Sequence, residues 1–106
     1  MRKLKELIKK LNEYRKKMIE LKLWLERKEV IEYNKWKQEN PKDRAAMEKV
    51  IAALKINDKE WLEKEEDFLK TENKYKYYKN IYDVILKLLE KDIEKEEIEE
   101  FLSDLI

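Results

Sequence analysis

Hydrophobic residues at every seventh position constrain the fold of this chain more than any other feature. They form an uninterrupted series, which is Met47, Leu54, Trp61, Phe68, Tyr75, Tyr82 and Leu89. Seven residues make close to two turns of an α-helix, so these side chains lie on one helical face. The series predicts a long helix that packs through a coiled-coil-like seam against another helix.

A second seam of this kind lies near the N-terminus. Its residues alternate at steps of three and four positions, and they are Leu4, Leu7, Leu11, Tyr14, Met18, Leu21 and Leu25. Polar Lys28 and Glu32 occupy the next two seam positions. The hydrophobic face shifts there to a different set, which is Trp24, Val30, Ile31, Tyr33 and Trp36. Such a shift indicates a change of packing partner or a local unwinding of the helix.

The sequence Asn40-Pro41 is the clearest break between the two seams. The chain has no glycine and one proline, so few tight turns are available. Asn40 is suited to cap a new helix, Pro41 to its first position and Asp43 to its positive end. We therefore predict an all-α fold, a long antiparallel helical hairpin with helices over about 2–39 and 41–91.

The second helix has one possible interruption, near residues 56–58. Asn57 could cap a new helix with Glu60 reaching back to it, and Ile56 with Trp61 has the spacing of a hydrophobic staple. However, the seven-residue series passes from Leu54 to Trp61 without a change of phase. This continuity favours one helix over residues 41–91, and a break near 56–58 remains the alternative.

A short amphipathic helix is predicted over residues 93–105, with Asp92 as its cap. Its hydrophobic face consists of Ile98, Phe101, Leu102, Leu105 and Ile106. Its other face is acidic and consists of Glu94, Glu96, Glu97, Glu99, Glu100 and Asp104. With 106 residues, the chain has room for a single helical domain.

Charge is distributed unevenly along the chain, although the formal net charge is only +1. Residues 1–56 carry 17 Lys/Arg and 9 Asp/Glu, whereas residues 57–106 carry 9 and 16. The two halves should attract each other, within one molecule or between two copies. Alternatively, the basic N-terminal run binds an anion such as a phosphate backbone; it consists of Arg2, Lys3, Lys5, Lys9, Lys10, Arg15, Lys16 and Lys17.

Residues that carry enzyme chemistry are scarce. There is no His or Cys, and Ser103 and Thr71 are the single residues of their types. Nucleophilic and histidine-based mechanisms are therefore excluded, and we expect neither a cofactor nor a small-molecule substrate. The clustered acids Glu96, Glu97 and Glu100 fall on the predicted solvent face, so we expect no metal site. No stretch approaches the about 18 apolar residues of a membrane span, and we expect a cytoplasmic protein.

Besides the basic N-terminal run, two further surfaces are candidates for binding a partner. A first helix of about 38 residues spans about 57 Å and a second of about 50 spans about 75 Å, so the second should overhang by about 18 Å. Burying this overhang against a second copy predicts a homodimer, with an interface of Tyr78, Tyr82, Ile85, Leu89, Phe101 and Leu105. The other surface alternates cations with an aromatic ring, as single-stranded nucleic acid binders do, and consists of Lys74, Lys76, Tyr77 and Lys79.

In size and composition the chain resembles the small helical accessory proteins that phages and mobile elements encode. That resemblance implies an adaptor or stoichiometric inhibitor that works by occupying the surface of another protein. We therefore predict a non-enzymatic helical interaction module, with single-stranded nucleic acid binding as the alternative function. If neither predicted surface binds, the hairpin corner with Trp24, Tyr33 and Trp36 is the next candidate.

Overall fold

The computed structural model describes residues 2–106, and every regular element among them is an α-helix. The four helices are α1 (Arg2–Glu39), α2 (Met47–Ile56), α3 (Lys59–Glu90) and α4 (Lys95–Leu105). The predicted all-α helical hairpin with a short C-terminal helix is confirmed. The bounds of α1 match the predicted first helix, which has no internal Gly or Pro to stop it.

The chain groups into two compact units, each of which contains part of α1 and part of α3. One unit holds both chain ends and extends over residues up to Lys17 and from Thr71 to Ile106. We call it the terminal unit. The other, which we call the corner unit, extends from Met18 to Lys70 and includes the Asn40-Pro41 break.

Three helical segments form the core of the terminal unit. Their buried residues come from α1, α3 and α4 and are Leu7, Leu11, Ile81, Ile85, Ile98 and Leu102. Lys10 lies over the ring of Tyr78 and Lys74 over the ring of Tyr14, so α1 and α3 run antiparallel here. The spacing of Ile98 and Leu102 by one helical turn gives α4 the hydrophobic face that closes this core.

The core of the corner unit contains two of the predicted seam residues, Leu21 and Trp61, whereas the seam residue Met47 is exposed. Leu21 of α1, Val50 and Ile51 of α2 and Trp61 of α3 are its buried hydrophobic residues. The seam position Lys28 carries an ion pair, because its Nζ lies 3.0 Å from Oδ2 of Asp58. The helix neither ends nor unwinds where the hydrophobic face shifts.

The predicted continuous helix over residues 41–91 is wrong, because α2 and α3 are separated at Asn57 and Asp58. The side chain of Asp58 accepts a hydrogen bond from the backbone N–H of Trp61 at 3.0 Å. Asp58 therefore caps α3, one residue beyond the Asn57 that the alternative reading proposed. The ion pair with Lys28 holds this capping carboxylate in place, which a local pattern of residues does not reveal.

The predicted start of the second helix at residue 41 is also wrong, because α2 begins at Met47. Asn40 does not cap it. Its side-chain amide donates instead to the carbonyl of Trp36 at 2.9 Å, at the end of α1. Asp43 accepts from the backbone N–H of Ala45 at 2.9 Å. These local hydrogen bonds compete with helix formation and leave residues 40–46 as a loop.

Asp92 ends α3 and does not cap α4, which corrects the predicted start at residue 93. Its φ of 55° lies in the left-handed region that Asp tolerates better than most residues. The N–H groups of Asp92 and Ile93 return to the carbonyls of Leu89 and Leu88 at 3.3 and 3.2 Å. This is a Schellman ending, and α4 starts at Lys95 after a sharp change of direction.

Candidate protein interaction surfaces

The interface predicted in the terminal unit is mostly part of an internal core. Ile85 has 0% of its surface exposed and lies among the core residues contributed by α1 and α4. Its assignment to a partner surface is therefore wrong for the folded chain. Tyr78, Tyr82 and Leu105 are half-buried against the same core, whereas Leu89 and Phe101 are exposed at its edge.

Packing within the terminal unit accounts for the region that was predicted to overhang. The N-terminal part of α1 and the folded-back α4 cover this end of α3, so burial does not require a second copy. Glu99 of α4 also accepts a hydrogen bond from the backbone N–H of Lys3 at 2.7 Å. A carboxylate at this position satisfies one of the free N–H groups at the start of α1 and ties the two helices together.

The predicted Lys/Tyr surface is engaged within its own unit. Lys76 pairs with Glu72 at 3.3 Å, and Lys79 pairs with Asp83 at 3.2 Å. The ammonium group of Lys74 lies 5.9 Å from the centre of the Tyr14 ring. Tyr77 is exposed and meets the ring of Tyr78 edge-on. This surface therefore offers a nucleic acid one exposed ring, beside cations that already have partners.

Tyr78 has a structural role in the terminal unit. Its ring stacks on that of Tyr14, with centroids 5.7 Å apart and planes inclined by 7°. Lys10 lies 5.6 Å from the centre of the same ring. Such contacts hold α1 against α3, and they occupy the tyrosine face that would otherwise stack on a base.

The acidic face of α4 lies on the surface of the terminal unit. Glu96, Glu97 and Glu100 are exposed to solvent. Within residues 2–106, no group of three or more acidic side chains is arranged to hold a metal ion. The start of the basic run lies beside this face, since Arg2 lines a groove with Glu96 and Glu100. Part of the run is neutralised within α1, because Glu6 pairs with Arg2 at 3.9 Å and with Lys3 at 3.4 Å.

Trp61 is the centre of the corner unit, and two lysines lie against its ring. Nζ of Lys28 is 5.9 Å and Nζ of Lys55 is 5.4 Å from the ring centre. Each lysine also reaches a carboxylate, Lys28 on Asp58 at 3.0 Å and Lys55 on Glu65 at 2.6 Å. The sequence predicts that Trp61 is a seam residue. It does not predict that two lysine side chains lie against the ring of Trp61.

The pKa values of two charged residues, Asp58 and Lys28, are shifted at the break between α2 and α3. The pKa of Asp58 lies below its ordinary value of 3.8. The largest cause is the hydrogen bond from the backbone N–H of Trp61, and the second is the hydrogen bond from the ammonium group of Lys28. Hydrogen bonds to Asp58 and Glu32 raise the pKa of Lys28 above its ordinary value of 10.5. Both shifts favour the charged forms in the folded chain.

The pH dependence of stability should therefore report on Asp58. Its folded-state pKa is lower than its unfolded-state pKa, so its charge stabilises the fold above pH 3.8. This contribution is lost as the pH falls below that value and through the folded-state pKa. Asp58→Asn keeps a capping oxygen but removes the charge, so it should be less stable than the parent at neutral pH and equal to it in strong acid.

Urea unfolding followed by circular dichroism at several pH values measures this convergence. Asp104→Asn is the control, because Asp104 is an exposed aspartate of α4. A difference between Asp58→Asn and the parent that persists unchanged into strong acid would contradict the assignment.

A row of exposed aliphatic side chains follows the outer face of α1 in the corner unit. It consists of Ile19, Leu23, Val30 and Ile31, which are between 45% and 61% exposed. Leu23 lies about 200° around the helix axis from the seam residue Leu25, so the two side chains are on nearly opposite faces of α1. Neighbouring side chains form two shallow grooves beside the row, both of which include Arg27 and Ile31. We call these four residues the outer stripe.

The shifted hydrophobic face predicted from the sequence contains half of the outer stripe. Val30 and Ile31 belong to that face, whereas Ile19 and Leu23 do not. Their spacing of four, with Val30 a further seven residues along, is a signal that could have found them. Of the aromatic residues assigned to the hairpin corner, Tyr33 and Trp36 stack on each other at 6.0 Å and are half-buried.

Comparison of the chain with protein-family models, with curated proteins and with solved structures gave no match. In the described part of the chain, no helix combines the length and the apolar character that a bilayer crossing needs.

Proposed function

We propose that this protein is a non-enzymatic helical interaction module that acts by associating with another protein chain. The observation that supports this proposal is the outer stripe. Single exposed aliphatic residues are common on protein surfaces, but four along one face of one helix form a patch that water disfavours. Amphipathic helices use rows with this spacing to bind other helices and hydrophobic grooves.

The surroundings of the stripe favour a protein partner over a nucleic acid. Glu20 and Glu26 lie beside it together with Arg27, so its charge is mixed. A phosphate backbone needs an excess of cations, whereas protein interfaces combine a hydrophobic centre with a rim of both signs. An adaptor or a stoichiometric inhibitor of the kind that phages and mobile elements encode would act through such a surface.

Single-stranded nucleic acid binding is the second candidate function. One observation favours it, a groove in the terminal unit where Arg15 and Lys79 lie beside Tyr75 and Tyr82. This combination of cations and rings resembles the chemistry that holds unpaired bases. Affinity of the purified protein for a labelled oligonucleotide that falls steeply between about 50 and 200 mM salt would favour this function.

Photo-crosslinking tests the proposed function directly. Leu23 is replaced by benzoylphenylalanine in the full chain, which is then expressed in the cells that naturally contain it. Leu69 is the matched control, because it is also a leucine of the corner unit and is 58% exposed. We expect discrete protein adducts from position 23 and none from position 69, since only the first lies in the stripe.

Identical adducts from both positions, or none from position 23, would contradict a role for the stripe. Digestion of the adducts with nuclease and with protease separates nucleic acid from protein partners. Adducts at position 23 that only nuclease removes would favour the second candidate function.

A further inference from the structure

We infer that the occupant of the outer stripe is a second copy of this chain, packed antiparallel about a two-fold axis that passes beside Leu23. The inference rests on the proposed function, because it identifies the partner for that same surface. It differs from the homodimer predicted from sequence, which used the buried end of α3.

Three residues of the outer stripe, Ile19, Leu23 and Val30, belong to a second heptad register on α1. Ile19, Leu23, Glu26 and Val30 follow one another at steps of four, three and four residues. These are the core positions of a coiled coil, and all four side chains are exposed. α1 thus carries a seam on its inner face and a shorter one on its outer face.

Charged residues occupy the flanking positions of this outer register. Glu20 and Arg27 flank one side, seven residues apart, and Lys22 and Glu29 flank the other. Among the described residues, none of these four forms an ion pair within the chain. Their charges remain available to another molecule.

The signs of these charges select the orientation. In a parallel pair, Lys22 of one copy would face Arg27 of the other, and the two cations would repel each other. In an antiparallel pair, residues on the same side face each other, so Glu20 meets Arg27 and Lys22 meets Glu29. The two-fold axis repeats both contacts and produces four opposite-charge pairs.

The hydrophobic residues fit the same register. When the flanking charges pair in this way, Ile19 of one copy packs against Val30 of the other on both sides of the axis. Leu23 lies near the axis, next to Glu26 of the second copy. The surface is complementary to itself, so the contact closes at two copies and does not extend into a filament.

Glu26 should weaken this interface, because it places a carboxylate in a core position. A polar residue at such a position reduces the stability of a coiled coil but fixes its register. The association should therefore be reversible and depend on protein concentration.

Charge reversal on the full chain tests the register. Arg27→Glu should weaken dimerisation about tenfold, because two attractive contacts with Glu20 become repulsive. Glu20→Arg should do the same through two contacts between arginines. An equimolar mixture of the two variants should restore dimers, since each Glu then faces an Arg again. Sedimentation equilibrium of each variant and of the mixture measures these effects, and circular dichroism checks that helicity is unchanged.

Three results would overturn the inference. The first is a parent chain that is monomeric at every concentration, and the second is a mixture of the two variants that dimerises no more tightly than either variant alone. The third is a dimer that Phe101→Lys disrupts but Arg27→Glu does not. A monomeric chain whose position 23 still crosslinks to a different protein in cells overturns the inference and leaves the proposed function standing. Absence of both dimer and adduct overturns both.

Discussion

Trp61→Ala is expected to destabilise the corner unit by about 3–5 kcal/mol, which is a large part of the stability of a small domain. Trp61 is 1% exposed and is the largest fully buried side chain among the described residues. Alanine removes its packing with the seams and leaves a cavity between α1, α2 and α3 that the surrounding helices fill only in part.

The two lysines that lie against the ring of Trp61 increase the destabilisation expected from Trp61→Ala. Lys28 and Lys55 would lose the aromatic face on which they lie and would border an apolar cavity. Trp61→Phe keeps a ring at this position, so it should cost less than alanine. Trp36→Ala is the control, because this half-buried tryptophan stacks on Tyr33 outside the seam.

Urea unfolding followed by circular dichroism gives the three free energies of unfolding. The expected order of destabilisation is Trp61→Ala, then Trp61→Phe, with Trp36→Ala well below Trp61→Ala. Equal effects of alanine at positions 61 and 36 would show that Trp61 does not hold the core of this unit.

Ile85→Ala is expected to cost about 2–5 kcal/mol of stability in the terminal unit. Ile85 is fully buried, and its neighbours in the core come from three different helical segments. The sequence pattern alone predicts that this substitution weakens association more than folding. The structure reverses that expectation, because the side chain contacts α1 and α4 of its own chain.

Val84→Ala provides the matched control, since Val84 is the preceding residue of α3 and is exposed. Its effect on unfolding should be small, within about 0.5 kcal/mol. Sedimentation equilibrium on both variants completes the comparison. An Ile85→Ala chain of native stability with a changed oligomeric mass would restore the original assignment of this residue to an interface.

The sequence by itself determined the helical class, the extent of α1 and most of the inner seams. These features depend on residue periodicity and on the absence of Gly and Pro, which act over one or two helical turns. The seam positions Leu7, Leu11 and Leu21 are buried as their spacing predicts. The hydrophobic face of α4 also follows from spacing, since Ile98 and Leu102 are buried.

Only the tertiary structure decided where α3 begins and which apolar residues remain exposed. The break before α3 depends on a capping Asp58 held by Lys28, thirty residues away along the chain. Ile85 became a core residue because α4 folds back onto α3. The spacing of the outer stripe is visible in the sequence, but only the packed face of α1 shows that these side chains stay exposed. Each of these features depends on contacts between distant segments, whose energies local spacing does not encode.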